Sequence, residues 1–321
     1  MKLKLGKVNN AGLIFQKFSA VIILLVIIVI FSIGSPRFFR VQNFLNIIGQ
    51  TSVLGIISIG MTFVIITSGI DLSVGSIMAL SASIVAVSVS KWGFPPLMSI
   101  IFGFTVGICA GILNGVVITV GKIQPFIATL GSTTALGGIA LLVTKGYPIT
   151  GIPEGMLMLG SMKAGVIPPS LFVVASVAVL GWIVFNRMVF GRNVVAIGGN
   201  EEASKIAGIK VRLTKVIVYA ISGLCCCTAG FVLMGRLRSS NALMGIGIEL
   251  QAITAVALGG TSMAGGVGTI GGTIIGVLTI GVLNNGLDLM SVTPYWQKVI
   301  LGLIIIAVVL MDSWRRRKFN D

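Results

Sequence analysis

Long apolar runs separated by short polar segments dominate the hydrophobic pattern of this chain. Crossing the hydrocarbon layer takes about 20 apolar residues as a helix, and fewer where a helix is broken or buried in a bundle. Ten segments meet this criterion: 18–34, 47–68, 73–90, 96–120, 124–143, 169–186, 215–235, 250–264, 268–284 and 295–311. The pattern predicts an all-α, polytopic membrane helix bundle of about ten transmembrane helices. We expect it to form a single transmembrane domain over residues 1–321.

Lysine and arginine positions orient the predicted bundle. Cytoplasmic loops of membrane proteins carry an excess of these residues. With the N-terminus inside, fifteen of the 23 basic residues fall in inner segments, seven fall in outer loops, and Lys298 lies within the last span. The distribution places both termini in the cytoplasm and makes 187–214 the longest cytoplasmic loop. It also explains the net charge of +15 without a nucleic-acid partner.

Composition limits the chemistry that the chain can perform. Hydrophobic residues make up 55% of the chain and charged residues only 10%, with no histidine. The commonest general base and metal ligand is therefore missing. The four cysteines lie in apolar stretches without a C-x-x-C pair, and no G-x-x-x-x-G-K-[ST] phosphate loop occurs. We expect no catalytic residues, no metal site, no cofactor and no ATPase site in this chain.

Short motifs recur in opposite halves of the chain. GILNG at 111–115 is similar to GVLNNG at 281–286, and VGSI at 74–77 is similar to VGTI at 267–270. The fourth and ninth segments run in opposite directions in the predicted topology, which favours an inverted repeat. Asn114 and Asn284 occupy the repeated motif and are candidates for the translocation pathway. The alternative is that each amide joins two helices.

Glycines recur every four positions in the fourth segment. Gly107, Gly111 and Gly115 would share one face of a helix. Small residues at this spacing allow two helix backbones to approach closely in lipid. The pattern predicts tight helix packing there, with a narrow passage as the alternative.

A polar stretch, AIGGNEEASKIAGIKV at 196–211, interrupts the apolar pattern. Asn200 is a favourable N-cap, and Glu201 and Glu202 suit the positive end of a helix dipole. Glu201 and Lys205 have the favourable i,i+4 spacing, and Gly208 is suited to end the helix. These signals predict a helix of about seven residues in the cytoplasmic loop.

The apolar face of this short helix needs a partner. Ala203, Ile206 and Ala207 form a stripe at i, i+3, i+4 spacing. Isolated helices below about 12–15 residues are marginal in water. The stripe therefore either packs on its own bundle or docks into a groove on a cytoplasmic protein.

Several blocks of the sequence resemble the permease subunits of ribose-type ABC importers. They are GRNVVAIGGNEEASKIAGIKV (191–211), QTSVLGIISIGMTFVIITSGIDLSVGSIMAL (50–80), GKIQPFIATLG (121–131), AVALGGTSMAGGVGTIGGTIIG (255–276) and NNGLDLM (284–290). The resemblance covers nearly the whole chain from the first span to the last. It implies a bacterial inner-membrane, multi-pass permease that works as a dimer over two ATP-binding cassette subunits, with a sugar-binding protein outside.

By this resemblance, the short helix is the coupling helix that an ATP-binding subunit grips. Its residues are Asn200, Glu201, Glu202, Ala203, Ser204, Lys205, Ile206, Ala207 and Gly208. The resemblance also favours ribose as the solute. Permeases for xylose, galactose, arabinose or autoinducer-2 share these blocks and remain alternatives.

Other polar residues near membrane depth are few. Asp71 is expected either to cap the third span, with Ser73 nearby, or to act as a gate. Gln124 opens the fifth span, where Phe126 would narrow the passage. Neutral polar groups suit an uncharged, polyhydroxylated solute. An ion-coupled secondary transporter is the alternative from another class, but such proteins tend to place acidic residues at the midplane.

Overall fold

The computed structural model describes residues 10–161 and 167–320, and this part of the chain forms thirteen helices. The helices are α1 (Asn10–Gly34), α2 (Val41–Ile66), α3 (Val74–Ser90), α4 (Pro96–Val120), α5 (Pro125–Thr144), α6 (Glu154–Leu157), α7 (Pro169–Arg187), α8 (Val189–Gly199), α9 (Glu201–Ile206), α10 (Val211–Leu237), α11 (Ile248–Leu258), α12 (Ile270–Leu289) and α13 (Pro294–Asn320).

Seven of the described helices are long and apolar enough to cross a membrane, namely α2, α4, α5, α7, α10, α12 and the Pro294–Met311 part of α13. The predicted polytopic, all-helical membrane protein is therefore confirmed. Shorter apolar helices at Ala20–Gly34, Val74–Ser90 and Ile248–Leu258 occupy the other three predicted segments. Ten crossings, both cytoplasmic termini and the inverted repeat stay predictions.

The eighth predicted segment, 250–264, is wrong in extent. Helix α11 ends at Leu258, and a non-helical segment follows up to Thr269. Gly260 has a φ of +89°, a backbone conformation that ends a right-handed helix and that glycine adopts at little cost. The apolar composition continues past this point, so hydropathy alone misses the end of the helix.

Helix α2 forms the centre of the bundle. Most of its side chains are buried, and α7, α10, α11 and α12 pack around it. A helix that is hydrophobic on all sides is typical of a core position. This places residues 51–66 of α2, with Thr67 and Asp71 after them, inside the protein, whereas Val41 at the start of the helix is 72% exposed.

Helices α4 and α10 cross at the glycine face predicted from the sequence. A Cβ on Gly111 would overlap the carbonyl oxygen of Tyr219, and one on Gly107 would overlap the sulfur of Cys227. On α10, a Cβ on Gly223 would overlap the carbonyl oxygen of Gly107. The stripe therefore serves close helix packing.

Candidate functional site

Two short helices form the segment between α7 and α10. Helix α8 buries Val194 and Ile197 against the bundle, and α9 follows it directly. Asn200 is the N-cap of α9, and its Oδ1 accepts a hydrogen bond from the Ala203 N–H at 2.9 Å. Gly208 ends the turn with a φ of +82°. The local signals thus predict this helix correctly, although it is six residues long and its last helical residue is Ile206.

Two ion pairs lie within the polar side of α9, and a third ties it to α10. Lys205 Nζ lies 3.1 Å from Glu201 Oε1 and 2.7 Å from Glu202 Oε1. The second oxygen of Glu201 accepts a hydrogen bond from Lys215 Nζ at 2.5 Å. This bond to Lys215 is the main reason that the pKa of Glu201 lies below its usual value, and the bond to Glu202 is the main reason that the pKa of Lys205 is raised.

The apolar side of α9 faces away from the bundle. Ile206 is 89% exposed, and Ala203 and Ala207 are exposed as well. Only Ser204 is buried, and its hydroxyl donates to the Asn200 carbonyl at 2.8 Å. The interpretation that the stripe packs on its own bundle is therefore wrong. The stripe is open to a second protein.

A groove of about 880 Å³ lies beside α9, between the α4–α5 turn and the start of α10. Gln124 lies in its wall together with Lys122, Glu201 and Lys215. Phe126 is 51% exposed in the first turn of α5. The fold thus brings two pathway candidates, Gln124 and Phe126, to the same end of the bundle as the short helix.

A glycine junction, which sequence reasoning missed, holds the base of α9. A Cβ on Gly198 would overlap the carbonyl oxygen of Ile66, and that oxygen accepts a hydrogen bond from the Gly266 N–H at 2.9 Å. Ser68 Oγ donates to the Ala264 carbonyl at 2.6 Å. The end of α8, the end of α2 and the 259–269 segment therefore meet backbone to backbone at Gly198 and Gly266, with the Ser68 hydroxyl as a further link. The glycine pairs at 198–199 and 265–266 were the available signal.

Asp71 is fully buried at the start of α3. Its Oδ1 accepts hydrogen bonds from the N–H of Ser73 at 3.0 Å and from its hydroxyl at 2.5 Å, and Oδ2 accepts from the Ser222 hydroxyl at 2.8 Å. The predicted cap is therefore corrected, because Ser73 is the N-cap residue and Asp71 precedes it in a turn. Asn114 Nδ2 donates to Ser73 Oγ at 2.8 Å, and Ser132 donates to Asn114 Oδ1.

The two candidate asparagines have different surroundings. Asn114 is 2% exposed, and its hydrogen bonds join α4 to α3 and α5. Asn284 is half-buried on α12. Its neighbour Asn285 instead forms a reciprocal amide pair with Asn43 of α2, at 2.9 and 2.8 Å. For Asn114 the geometry thus favours the alternative of an amide that joins helices.

Comparison with known proteins identifies the class. The profile of the family described as branched-chain amino acid transport system / permease component matches residues 43–309. The chain belongs to this permease family. It is 44% identical to the ribose import permease protein RbsC of Bacillus subtilis (strain 168), over 93% of each chain. It is 42% identical to RbsC of Escherichia coli (strain K12), over 95% of each chain.

Other relatives of the permease carry other names. The D-allose transport system permease protein AlsC of Escherichia coli (strain K12) is 36% identical, over 94% of this chain and 93% of the relative. No solved structure matches significantly. As an ABC transporter permease component, this multi-pass membrane protein is a transport subunit and not an ATPase.

The Glu201–Lys215 pair gives a first prediction for the permease. Reversing one charge, as Glu201→Lys or Lys215→Glu, should lower ATP-driven uptake roughly two- to fivefold, because the pair is only partly shielded from solvent. The double reversal should recover part of the uptake, because it forms the pair with α10 again but leaves a like charge beside Lys205. The pKa of Glu201 lies below the ordinary value of 4.5 for a glutamate side chain. The pair is therefore fully formed above pH 4.5 and is lost only as the pH falls through the lowered pKa of Glu201. Assays near neutral pH thus test the intact pair. Failure of the double reversal to recover would contradict this role.

Substitutions of Asp71 separate a structural role from a gating charge in the permease. Asp71→Asn should keep uptake within about threefold of wild type, because an amide oxygen still accepts from Ser73 and the amide nitrogen can donate to Ser222. Asp71→Leu leaves buried hydroxyls unpaired, at about 1–3 kcal/mol each, and should lower the thermal unfolding temperature. Equal damage by Asn and Leu, with stability unchanged in the Asn variant, would instead indicate a gate that needs the charge.

Proposed function

We propose that this permease forms the translocation pathway of an ATP-driven importer that carries a monosaccharide, ribose, into a bacterial cell across the cytoplasmic membrane. Two copies of the chain would assemble over two ATP-binding cassette subunits, with a sugar-binding protein docking outside. The observation that carries the proposal is the exposed apolar stripe of α9 in a permease whose relatives, at 44% and 42% identity, are named ribose import permeases.

The substrate assignment rests on relatives and on chemistry. Permeases named for allose, fructose and xylose match at 36%, 36% and 32% identity, below the ribose permeases. The polar side chains at membrane depth are mainly amides and hydroxyls, which suit a neutral, polyhydroxylated solute. Other sugars and sugar-like solutes, including galactose, arabinose and autoinducer-2, are the alternatives to be tested.

The coupling role of Asn200 to Gly208 rests on the two sides of α9. Its polar side is fixed to α10 through Glu201, and its apolar side presents Ile206 to the cytoplasm. A rigidly mounted helix with an exposed apolar residue is suited to a groove on another protein. Movement of the ATP-binding subunit would then reach α10 through the ion pair and the rest of the bundle through the glycine junction.

The passage is proposed along α5. Only 11% of the residues in its apolar 18-residue stretch are buried within a single chain. A Cβ on Gly131 or Gly138 would meet no other atom within 4 Å. A second copy would enclose this open face of small residues. Gln124 and Phe126 would lie at its cytoplasmic mouth, and Asn284 is retained as a pathway candidate on α12. Asn114 would hold α5 in place through Ser132.

Ten crossings follow if the three shorter apolar helices also pass through the membrane. Helix α3 is largely enclosed by other helices, and a buried span needs fewer apolar residues than one exposed to lipid. Both termini and the 187–214 loop would then be cytoplasmic, in agreement with the lysine and arginine distribution.

Reconstitution in lipid vesicles tests this function. The permease would be combined with a candidate ATP-binding subunit and sugar-binding protein, and ATP hydrolysis and uptake would be measured with ribose, with other sugars and without sugar. We expect ribose to stimulate hydrolysis and to enter only with ATP. Uptake that needs an ion gradient and no ATP-binding subunit would overturn the proposal in favour of a secondary transporter. Stimulation by another sugar alone would replace ribose and keep the class.

A further inference from the structure

The span that contains α11 is broken inside the bundle. Between the end of α10 at Leu237 and the start of α11 at Ile248, the chain is non-helical. Within this segment, Ser240 forms a pair of backbone hydrogen bonds with Ile149, at 2.7 and 3.0 Å, and its hydroxyl lies 3.3 Å from that of Ser83 on α3. The segment then continues along α3. Non-helical backbone at membrane depth occurs where protein or water satisfies it.

Two glycines fix the depth of the break. A Cβ on Gly75 would overlap the carbonyl oxygen of Gly245, and a Cβ on Gly245 would overlap that of Gly75. At 1.5 Å per helical residue, Gly75 lies roughly 22 Å from Ser90 at the far end of α3. Glu249 lies beside Gly75, since its Oε2 is 3.0 Å from the position of a Cβ there. It is also roughly 14 Å from the other end of α11. With α3 and α11 crossing the membrane as proposed above, these distances place the carboxylate of Glu249 inside a hydrocarbon layer that is about 30 Å thick.

Glu249 is not paired in the way that Asp71 is. Its Oε1 accepts one hydrogen bond, from the Gly247 N–H at 3.2 Å, and its side chain is only partly buried. Within residues 10–161 and 167–320, no lysine or arginine forms a salt bridge with it. Asp71, by contrast, is enclosed and accepts bonds from three donors. A partly exposed, unpaired carboxylate at this depth needs water or a polar solute as its neighbour.

A helix-end role alone does not account for Glu249. An acid in the first turn of α11 benefits from the helix dipole, but that gain is smaller than the cost of keeping a carboxylate at membrane depth. The break also lies next to the proposed passage. Ala242, within the non-helical segment, packs against a cluster that includes Ala140 of α5 and Leu80 of α3.

We propose that Glu249 is a solute-contact residue in the passage. Its carboxylate accepts hydrogen bonds from the hydroxyl groups of a neutral, polyhydroxylated solute as the solute passes the break between α10 and α11. Hydrogen bonds from O–H groups to a carboxylate are short and strong. Because only one oxygen of Glu249 is free, the contact is limited to that oxygen, and the solute can dissociate from it and move on. This inference rests on the proposed function and names one residue of its pathway.

Thiol accessibility tests whether Glu249 meets water. Cys109, which is exposed on a single chain, would first be replaced by Ala. Glu249→Cys would then be compared with Leu113→Cys, whose position on α4 is 62% exposed and faces outward from the bundle. In vesicles that contain the assembled importer, a water-soluble thiol reagent should label position 249 at least about tenfold faster than position 113, and transported sugar should slow the labelling. Labelling of position 249 as slow as that of position 113 would overturn the proposal.

Uptake measurements test the contact itself. Glu249→Leu should lower the maximal uptake rate roughly tenfold, the effect of losing one hydrogen bond to a charged group, and Glu249→Gln should fall between Leu and wild type. ATP hydrolysis and retention of the ATP-binding subunit should stay near wild type in both variants. Glu154→Gln, at an exposed acid that pairs with Arg238, is the matched control. Normal uptake by Glu249→Leu would overturn the inference and leave the proposed function standing, whereas absence of uptake by the wild type would be a failure of the proposed function.

Discussion

Replacing Ile206 with Asp is expected to abolish ATP-driven uptake and to release the ATP-binding subunit from the permease. Ile206 is 89% exposed on a helix that is held in place by its polar side. Burying an isoleucine side chain in a partner's groove contributes about 1.5–3 kcal/mol, and a carboxylate in that groove adds a desolvation cost. The loss of apolar burial alone should lower the affinity roughly ten- to a hundredfold, and the desolvation cost should lower it further. Co-purification of the subunit and uptake into vesicles measure the two effects.

Two controls make this result specific to the docking face. Ile206→Val keeps an apolar side chain and should retain the subunit. Ile167→Asp introduces the same charge at another exposed position, beyond the opposite end of α7, and should leave the ATP-binding subunit attached. A permease with Ile206→Asp that still retains the subunit and transports sugar would show that α9 is not the coupling helix.

The helices were predictable wherever a long apolar run is bounded by proline or polar residues. The segment 96–120 coincides with α4, which begins with proline at its first position. Helix α8 was missed, although Phe190, Val194 and Ile197 have helical spacing. The polar residues of α8 make it too hydrophilic for a transmembrane span, so a search of the sequence for apolar spans does not find this helix. The end of α11 depends on the backbone angle at Gly260, which hydropathy does not contain.

The candidate site was predictable only where its interactions are local. The N-cap bond of Asn200 joins residues three positions apart, so the sequence around it predicts the helix start. The partners of Glu201 and Asp71 are instead chosen by the tertiary fold. Lys215 lies 14 positions from Glu201, and Ser222 lies 151 positions from Asp71. A single sequence carries no signal for such a pairing, because many hydroxyls and lysines could serve equally well.

The second large effect is expected at the glycine junction. Gly198→Ala should abolish ATP-driven uptake, because the added Cβ would overlap the backbone of Ile66 and Gly266, which cannot rotate away as a flexible side chain can. Overpacking of this kind costs about 1–3 kcal/mol or forces the elements apart. The adjacent Gly199 provides the matched control. A Cβ there meets no atom within 4 Å, so Gly199→Ala should keep uptake near the wild-type level.

The position of the junction decides how uptake should fail. Gly198 is the penultimate residue of α8, three positions before α9 begins at Glu201, and the backbone of Ile66 against which it packs belongs to the central helix of the bundle. Forcing these backbones apart moves the base of α9 but leaves Ile206 exposed. The Gly198→Ala permease should therefore still retain the ATP-binding subunit while losing ATP-driven uptake, whereas the Ile206→Asp permease should lose both. Equal uptake by the Ala variants of Gly198 and Gly199 would mean that the junction does not carry motion from α9 to α2.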